Sequence, residues 1–156
     1  MRHGRPDLPR NPFFMDRPQF NDFLEAYDRA GLSAQESQRL RRLYAPFPQP
    51  DLVLSSDLAR AQETALLFAR GAEVIALPIL REIPLQLPET PSAFLTRRWP
   101  PEMWWTYLRL TWFRDAKPEG RTQTTKRAAG AIAAITSYQA RCASLAIVSH
   151  AGFLSV

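Results

Sequence analysis

Short apolar runs that alternate with helical segments are the feature of this 156-residue sequence that most constrains its fold. Three runs have the length of strands: Leu52 to Leu54, Val74 to Leu77 and Leu145 to Val148. A segment of helical composition lies between the first two runs, from Leu58 to Ala69, and another precedes the third, from about Thr122 to Arg141. Because strands that alternate with helices build parallel sheets, the sequence predicts an α/β fold.

Two helices are expected ahead of the first strand. The first carries apolar residues at helical spacing: Phe20, Phe23, Leu24 and Tyr27. Gly31 is expected to end it, as Gly71 is expected to end the helix that begins at Leu58. Ser33 and Glu36 form a capping-box pattern that predicts a second helix running to about Leu43, where clustered prolines stop it.

The charge balance favours an anionic partner. The formal net charge is +5 and the sequence pI is about 10.0, which suit nucleic acid, an acidic membrane surface or a phosphorylated small molecule. The arginines are scattered over several segments, and no recognisable nucleic-acid-binding module accompanies them. We therefore expect a solvated basic surface and no nucleic-acid partner.

Cysteine usage and hydropathy bound the compartment. Cys142 is the only cysteine, which excludes an intramolecular disulfide and a CxxC-type metal or redox site. No stretch approaches the roughly 20 apolar residues of a membrane span, and the first residues hold prolines where a signal peptide needs an apolar core. We expect a cytoplasmic protein without stable membrane insertion.

Polar and basic residues follow two of the predicted strands. His150 comes just after the strand that ends at Val148, while Ser55, Ser56 and Arg60 follow the strand that ends at Leu54. The carboxyl ends of parallel strands share one edge of the sheet, so these side chains are expected to meet there. The helix start next to Arg60 offers free backbone N–H groups and a forked cation, which favour a phosphate.

Four motifs stand in order along the chain: Arg2-His3-Gly4, the run from Ser55 to Ala65, Leu80-Arg81-Glu82-Ile83, and Ser149-His150-Ala151-Gly152. Each alone is weak, whereas four in this order are a specific signal. The order resembles that of the histidine phosphatase superfamily, also called phosphoglycerate mutase-like, essentially end to end. The resemblance implies a three-layer α/β sandwich with a mostly parallel sheet and helices on both faces.

The resemblance also implies residue roles. His3 corresponds to the nucleophile that becomes a transient phosphohistidine, and Arg2, Arg60 and His150 correspond to the cationic cradle around the phosphoryl group. Glu82 corresponds to the general acid, a role that needs a raised pKa. The implied reaction is hydrolysis of a small phosphomonoester without metal or cofactor. An ordinary solvated loop is the alternative interpretation of the segment that holds Glu82.

Two departures from the family pattern bear on the branch. Many members have an acidic or amide residue after the first glycine, then Ser or Thr, and later an Asn that touches phosphate, where this chain has Arg5 to Pro9. The Gly-x-Trp-Glu-Gly type run that often follows the acid is replaced by Pro84 to Glu89. Both differences weaken a mutase assignment and favour a phosphatase-type member.

A segment rich in proline and tryptophan, at about 84–118, is expected as an insertion. It contains all four tryptophans, interleaved with arginines: Trp99, Trp104, Trp105 and Trp112. Packing of one helix, about Glu102 to Arg114, on the core is the favoured interpretation. The alternatives are an apolar lid over a bulky phosphorylated substrate and an interfacial membrane helix.

The chain is expected to form a single but incomplete domain over residues 1–156. In the family an apolar strand leads into Arg-His-Gly, and here only Met1 precedes Arg2. Unpaired strand edges destabilise a domain, so we expect a fragment or mis-started product with weak or no activity. The alternative function is therefore a non-catalytic phosphate-binding or interaction protein, or an inactive fragment of the enzyme. The oligomeric state is left open.

Overall fold

The structure is a computed structural model that describes residues 1–8, 12–88, 98–117 and 119–156. Its elements are, in chain order, α1 (Arg17–Arg29), α2 (Ala34–Tyr44), β1 (Leu52–Ser55), α3 (Ala59–Ala69), β2 (Glu73–Ala76), a 3-10 turn (Pro78–Leu80), α4 (Pro101–Phe113), α5 (Arg121–Gln139), β3 (Leu145–Val148) and α6 (Ala151–Leu154). The predicted helices and strands are present, and the predicted α/β fold is confirmed.

The three strands form a parallel sheet in the order β2-β1-β3. Val53 in the central strand pairs with Val74 on one side and with Ala146 on the other. Beyond β3, the first residues of the chain run parallel to Ser149, whose N–H donates to the Met1 carbonyl at 3.0 Å and whose carbonyl accepts from His3 N–H at 3.0 Å. The Arg2-His3-Gly4 segment thus begins beside the carboxyl end of β3.

Alternation along β1 builds the two faces of the sheet. Leu52 and Leu54 point to the face covered by α5, where Ala131 is buried against them. Val53 points to the other face and packs with Ala61 and with other alanines of α3. Because successive strand residues face opposite sides, four residues of β1 are buried in two different layers. The result is the expected three-layer sandwich.

A third apolar cluster lies between α1 and α4. Trp104 is fully buried, stacks on Phe20 with ring centroids 5.2 Å apart, and donates its indole N–H to the Met15 carbonyl at 3.0 Å. Trp99 and Leu108 are buried in the same cluster. Burial of a tryptophan in such a cluster stabilises the fold by several kcal/mol, typically about 3–5 relative to alanine. The prediction of core packing is therefore confirmed for Trp104, and Trp99 is buried in the same cluster. Residues 89–97 of the insertion lie outside the described part.

The helix ends follow local chemistry with some differences from expectation. Ser33 caps α2 by accepting from Glu36 N–H at 3.1 Å, but the Glu36 carboxylate does not return to the cap, because it binds Arg39 and the Arg5 N–H. The capping box is thus only half formed. α1 ends two residues before Gly31. The left-handed cap of α3 is Arg70, at φ 49°, with Gly71 next to it at φ 105°.

Candidate active site

His3 is the buried centre of the site, with 5 % of its surface exposed. Its Nδ1 lies 2.6 Å from the Gly4 carbonyl oxygen. A carbonyl only accepts hydrogen bonds, so Nδ1 carries the proton and Nε2 holds the lone pair in the neutral ring. Burial lowers the pKa of His3 to about 4, and the positive charges of Arg60 and Arg2 add to the lowering. At neutral pH His3 is therefore a neutral imidazole with a nucleophilic Nε2.

The loop that carries His3 is held by hydrogen bonds to side chains of α2 and α3. Gly4 N–H donates to Thr64 Oγ1 at 2.9 Å, and Arg5 N–H donates to Glu36 Oε1 at 3.0 Å. Thr64 in turn donates to the Arg60 carbonyl at 2.7 Å. A Cβ at Gly4 would lie 2.5 Å from a methyl carbon of Leu40, so a larger residue at this position would displace the Leu40 side chain of α2. The loop is fixed without using the His3 side chain.

His150 lies between β3 and α6, fully buried, with its ring centroid 4.7 Å from that of His3. Its Nε2 is 2.9 Å from Ser56 Oγ, and the same oxygen accepts from Leu58 N–H at 3.3 Å. Burial lowers the pKa of His150 well below its usual range, and nearby Arg60 and His3 contribute in the same direction. The two rings therefore form a neutral pair at the edge of the sheet.

Arg60 is a fully buried cation in the first turn of α3. Its Nη1 donates to the carbonyls of Tyr27 at 2.8 Å and Asp28 at 3.3 Å, at the end of α1. Its guanidinium carbon lies 4.4 Å from the centroid of the Tyr27 ring. These contacts satisfy one edge of the guanidinium and hold its plane in place.

The other edge of the Arg60 guanidinium carries donors without hydrogen-bond partners among the described residues. Arg60 Nε and Nη2 are buried without a hydrogen-bond partner in the part of the chain that the structure describes, and so is His150 Nδ1. The nearest carboxylate oxygen to Nη2 is Asp28 Oδ1 at 3.8 Å, too far for a hydrogen bond. Unsatisfied buried donors are costly to the folded state, and an anion that accepts from them removes that cost.

Glu82 follows the 3-10 turn and points to the start of α6. Its Oε1 accepts from the N–H groups of Ile83 and Phe153, both at 3.0 Å. The neighbouring Arg81 forms a two-point ion pair with Asp57 at 2.6 Å, which ties this segment to the loop before α3. The segment is therefore anchored to the same edge of the sheet as Arg60 and His150.

A cavity of about 490 Å³ opens beside these groups. Both the exposed Arg2 and Glu82 line it. Its other walls come from helices α1 and α4, the segment after Glu82 and the last turn of the chain, with aromatic residues Tyr27, Trp105, Trp112 and Phe113. The structure thus brings His3, His150 and Arg60 together at the sheet edge, and Arg2 and Glu82 together at the wall of the adjoining cavity.

Comparison with protein families gives a match that covers most of the chain. The sequence model described as histidine phosphatase superfamily (branch 1) matches residues 26–156. The chain belongs to this superfamily. A comparison with curated protein sequences gave no match.

Two solved structures illustrate the fold of this histidine phosphatase superfamily member. A structure assigned as an alpha-ribazole-5'-P phosphatase from Escherichia coli aligns with a TM-score of 0.61 at 24% identity, over 99% of this chain and 74% of that one. The alpha-ribazole phosphatase from Shigella flexneri aligns with a TM-score of 0.60 at 22% identity, again over 99% and 74%. At this level of identity the likeness concerns the fold.

Several residues of this superfamily member hold the site in place through contacts that the sequence does not predict. The sequence places Tyr27 only in the apolar stripe of α1, although its ring and carbonyl both contact Arg60. Thr64 stands inside the motif from Ser55 to Ala65, but nothing in the sequence indicates that it accepts from the Gly4 N–H. Ser56 lies where the sequence predicts it, with its Oγ 2.9 Å from Nε2 of His150. Arg127 donates to the carbonyls of Ile79 at 2.9 Å and Arg81 at 2.7 Å, and thereby holds the segment that leads to Glu82.

Two features are absent from the described residues. Among them there is no group of three or more His, Cys, Asp and Glu side chains placed to hold a metal ion. None of the helices described is long and apolar enough to cross a membrane.

Proposed function

We propose that this protein hydrolyses phosphomonoesters through a phosphohistidine intermediate on His3. One observation carries the proposal: a neutral, buried histidine adjoins a second histidine and a buried arginine whose Nε and Nη2 lack partners among the described residues. A phosphoryl group supplies the acceptors that these donors need, and the nucleophile stands beside them. Membership of the histidine phosphatase superfamily supports the same chemistry.

In the first step Nε2 of His3 attacks phosphorus, the N–P bond forms and the bond to the ester oxygen breaks. The leaving oxygen takes a proton from the carboxyl group of Glu82. Arg60 and Arg2 stabilise the charge on the equatorial oxygens, and His150 donates to one of them through Nδ1 when Ser56 donates to its Nε2. The Gly4 carbonyl, which accepts from Nδ1 of His3, stabilises the positive charge that develops on the ring.

In the second step the carboxylate of Glu82 takes a proton from water, and the resulting hydroxide attacks phosphorus. The N–P bond breaks, its electrons return to Nε2, and inorganic phosphate leaves with the cradle unchanged. Two backbone N–H groups hold Oε1 and thereby fix the position of the carboxyl group for both steps. In the described part of the chain, Oε2 makes no hydrogen bond and can carry the proton.

The second candidate is a phosphate-binding protein without turnover. The two bonds that bind Oε1 of Glu82 to the start of α6 favour it, because a carboxylate that only caps a helix would not transfer protons. A comparison of binding with turnover separates the candidates. Inorganic phosphate binding is measured by calorimetry, and phosphate release is measured on a panel of small phosphomonoesters.

The test uses the wild-type chain, His3→Asn and the control Cys142→Ser, which changes a residue outside the site. The enzyme hypothesis expects turnover in the wild type and in C142S, and none in H3N although H3N still binds phosphate. Phosphate binding without turnover in a folded wild-type sample would establish the binding protein instead. Turnover in H3N equal to wild type would remove His3 as the nucleophile.

A further inference from the structure

The cavity beside Glu82 is lined by more aromatic surface than phosphoryl transfer itself requires. We infer that the substrate is a phosphomonoester whose alcohol carries a planar ring system, which packs against Trp105 and Trp112 in this cavity. The inference rests on the proposed function, since that function fixes the phosphoryl group at His3. It names the class of the leaving group, which the chemistry of His3 leaves open.

The position of the cavity directs the alcohol part into it. Glu82 lines the cavity, and in the proposed reaction its carboxyl group protonates the ester oxygen, so the carbon chain behind that oxygen extends past Glu82. Tyr27 contacts both the phosphate cradle and the cavity. Its ring lies 4.4 Å from the guanidinium carbon of Arg60 and contacts Trp105 edge to face, with centroids 6.1 Å apart. The aromatic wall therefore begins directly next to the phosphate cradle.

Both indoles are held in place by the protein. Trp105 makes edge-to-face contacts with Phe20 at 5.9 Å and Phe23 at 6.2 Å between centroids. Trp112 donates its indole N–H to Thr124 Oγ1 at 2.9 Å, and Thr124, fully buried, donates to the Gly120 carbonyl at 2.8 Å. Rigid aromatic faces bind a planar partner at little cost in conformational entropy, because neither indole must be ordered on binding.

The size and the remaining walls of the cavity fit the same class. A volume of about 490 Å³ lies within the range of small-molecule sites, roughly 300–1,000 Å³. Leu85, Leu108 and Phe113 add apolar surface, while Arg109 and Lys117 add donors. Lys117 Nζ lies 3.4 Å from the Pro84 carbonyl. A ring system with polar substituents at its rim satisfies both kinds of wall.

The experiment compares two esters that differ only in planarity. The first is 2-(1-naphthyl)ethyl phosphate, and the second is the same ester with the naphthalene fully saturated. Both release a primary alcohol, so intrinsic leaving-group reactivity is matched, and the saturated ring has at least as much apolar surface to bury. Wild-type kcat/KM is expected to be at least about fivefold higher for the naphthyl ester, the size of an aromatic contact beyond area burial.

The variants Trp105→Leu and Trp112→Leu are each expected to bring that ratio towards one. Phe47→Leu, an exposed aromatic away from the cavity, is the control and keeps the ratio. Two variants are used because Trp105 also packs on α1, and near-ultraviolet circular dichroism verifies that each is folded. A wild-type ratio near one, or a ratio unchanged in both folded variants, overturns the inference.

Binding of the two matching phosphonates, which have a non-hydrolysable C–P bond, separates this inference from the proposed function. Calorimetry is expected to give the same preference of about fivefold for the naphthyl compound. Turnover of both esters without preference leaves the function standing and overturns the ring-binding inference. Preferential phosphonate binding without any turnover overturns the function and retains the ring site. If neither phosphonate binds, the inference is overturned.

Discussion

The ring centroids of His3 and His150 lie 4.7 Å apart, although the two residues stand near opposite ends of the sequence. The parallel bridge of Arg2 to Ser149 produces this proximity, because it aligns the first residues with the end of β3. Two imidazolium ions at this distance would repel each other inside a buried site. Burial and the nearby arginines lower both pKa values, so both rings are neutral where the proposed chemistry needs them.

The first prediction is that the stability of the protein falls as the pH decreases from about 6.5 to about 4. In that window the unfolded chain protonates His3 at its ordinary pKa near 6.5, whereas the folded chain does not until about pH 4. Stability decreases when the unfolded state binds more protons. His150, with its pKa shifted in the same direction, adds to the effect.

The measurement is urea unfolding at a series of pH values for the wild type and His3→Asn. Between pH 6.5 and 4 the wild type is expected to lose roughly 2 kcal/mol more than H3N. Titration of the His3 ring followed by NMR gives an independent check. A His3 midpoint near 6.5 in the folded protein, with parallel stability curves, would contradict the account.

The second prediction concerns Arg60→Lys. Lysine keeps a positive charge but cannot hold the Tyr27 and Asp28 carbonyls while presenting two further donors to phosphate. We expect kcat/KM for phosphomonoesters to fall by about 100-fold or more, together with weaker binding of inorganic phosphate. Arg29→Lys, a change at an exposed ion pair of α1, is the matched control and should leave both values unchanged. Activity retained in R60K would remove the forked cation from the mechanism.

The third prediction tests Glu82 as the proton donor. Glu82→Gln can still accept from the N–H groups of Ile83 and Phe153, so the start of α6 is preserved. Hydrolysis of an alkyl phosphate should fall by about 10²- to 10⁴-fold. Hydrolysis of 4-nitrophenyl phosphate, whose leaving group needs no proton, should fall far less in its first step. Equal losses for both esters in rapid-mixing measurements would assign Glu82 a structural role only.

The fourth prediction uses Gly152 to move Glu82 without replacing it. A Cβ at position 152 would lie 2.6 Å from Glu82 Oε1, which forces the carboxylate away. Gly152→Ala should therefore reduce alkyl phosphate turnover by about tenfold or more. The control Gly130→Ala, whose Cβ meets only Ile79, at 3.3 Å, should keep that turnover, and thermal unfolding verifies that both variants are folded. Full activity in G152A would contradict the placement of Glu82.

The sequence predicted the elements because each one carries its own local signal. The strand β1 is buried throughout and apolar from Leu52 to Leu54, and Arg60 lies in the first turn of the helix α3 that follows it. The partners of Arg60 were not predictable, because Tyr27 and Asp28 belong to α1, and helix packing sets which carbonyls reach it. The same is true of Glu36, whose carboxylate binds the Arg5 N–H instead of its own helix cap.

The tryptophan segment shows where periodicity stops being informative. The sequence predicts core packing for one helix that carries Trp104, Trp105 and Trp112, yet adjacent residues of a helix point about 100° apart. In the structure Trp104 enters the core between α1 and α4, whereas Trp105 and Trp112 line the cavity beside Glu82. One face of α4 thus packs in the core and another lines the cavity, and the packing of the neighbouring helix decides on which face each indole lies.

The most direct test of the account is to trap the phosphorylated protein. The protein is mixed rapidly with a phosphomonoester and quenched in alkaline denaturant, and the peptide that contains His3 is analysed by mass spectrometry and ³¹P NMR. We predict one phosphoryl group on Nε2 of His3, lost on mild acid treatment and absent from His3→Asn. Steady hydrolysis with no phosphate on His3 at any time, or with phosphate on another residue, would contradict the account.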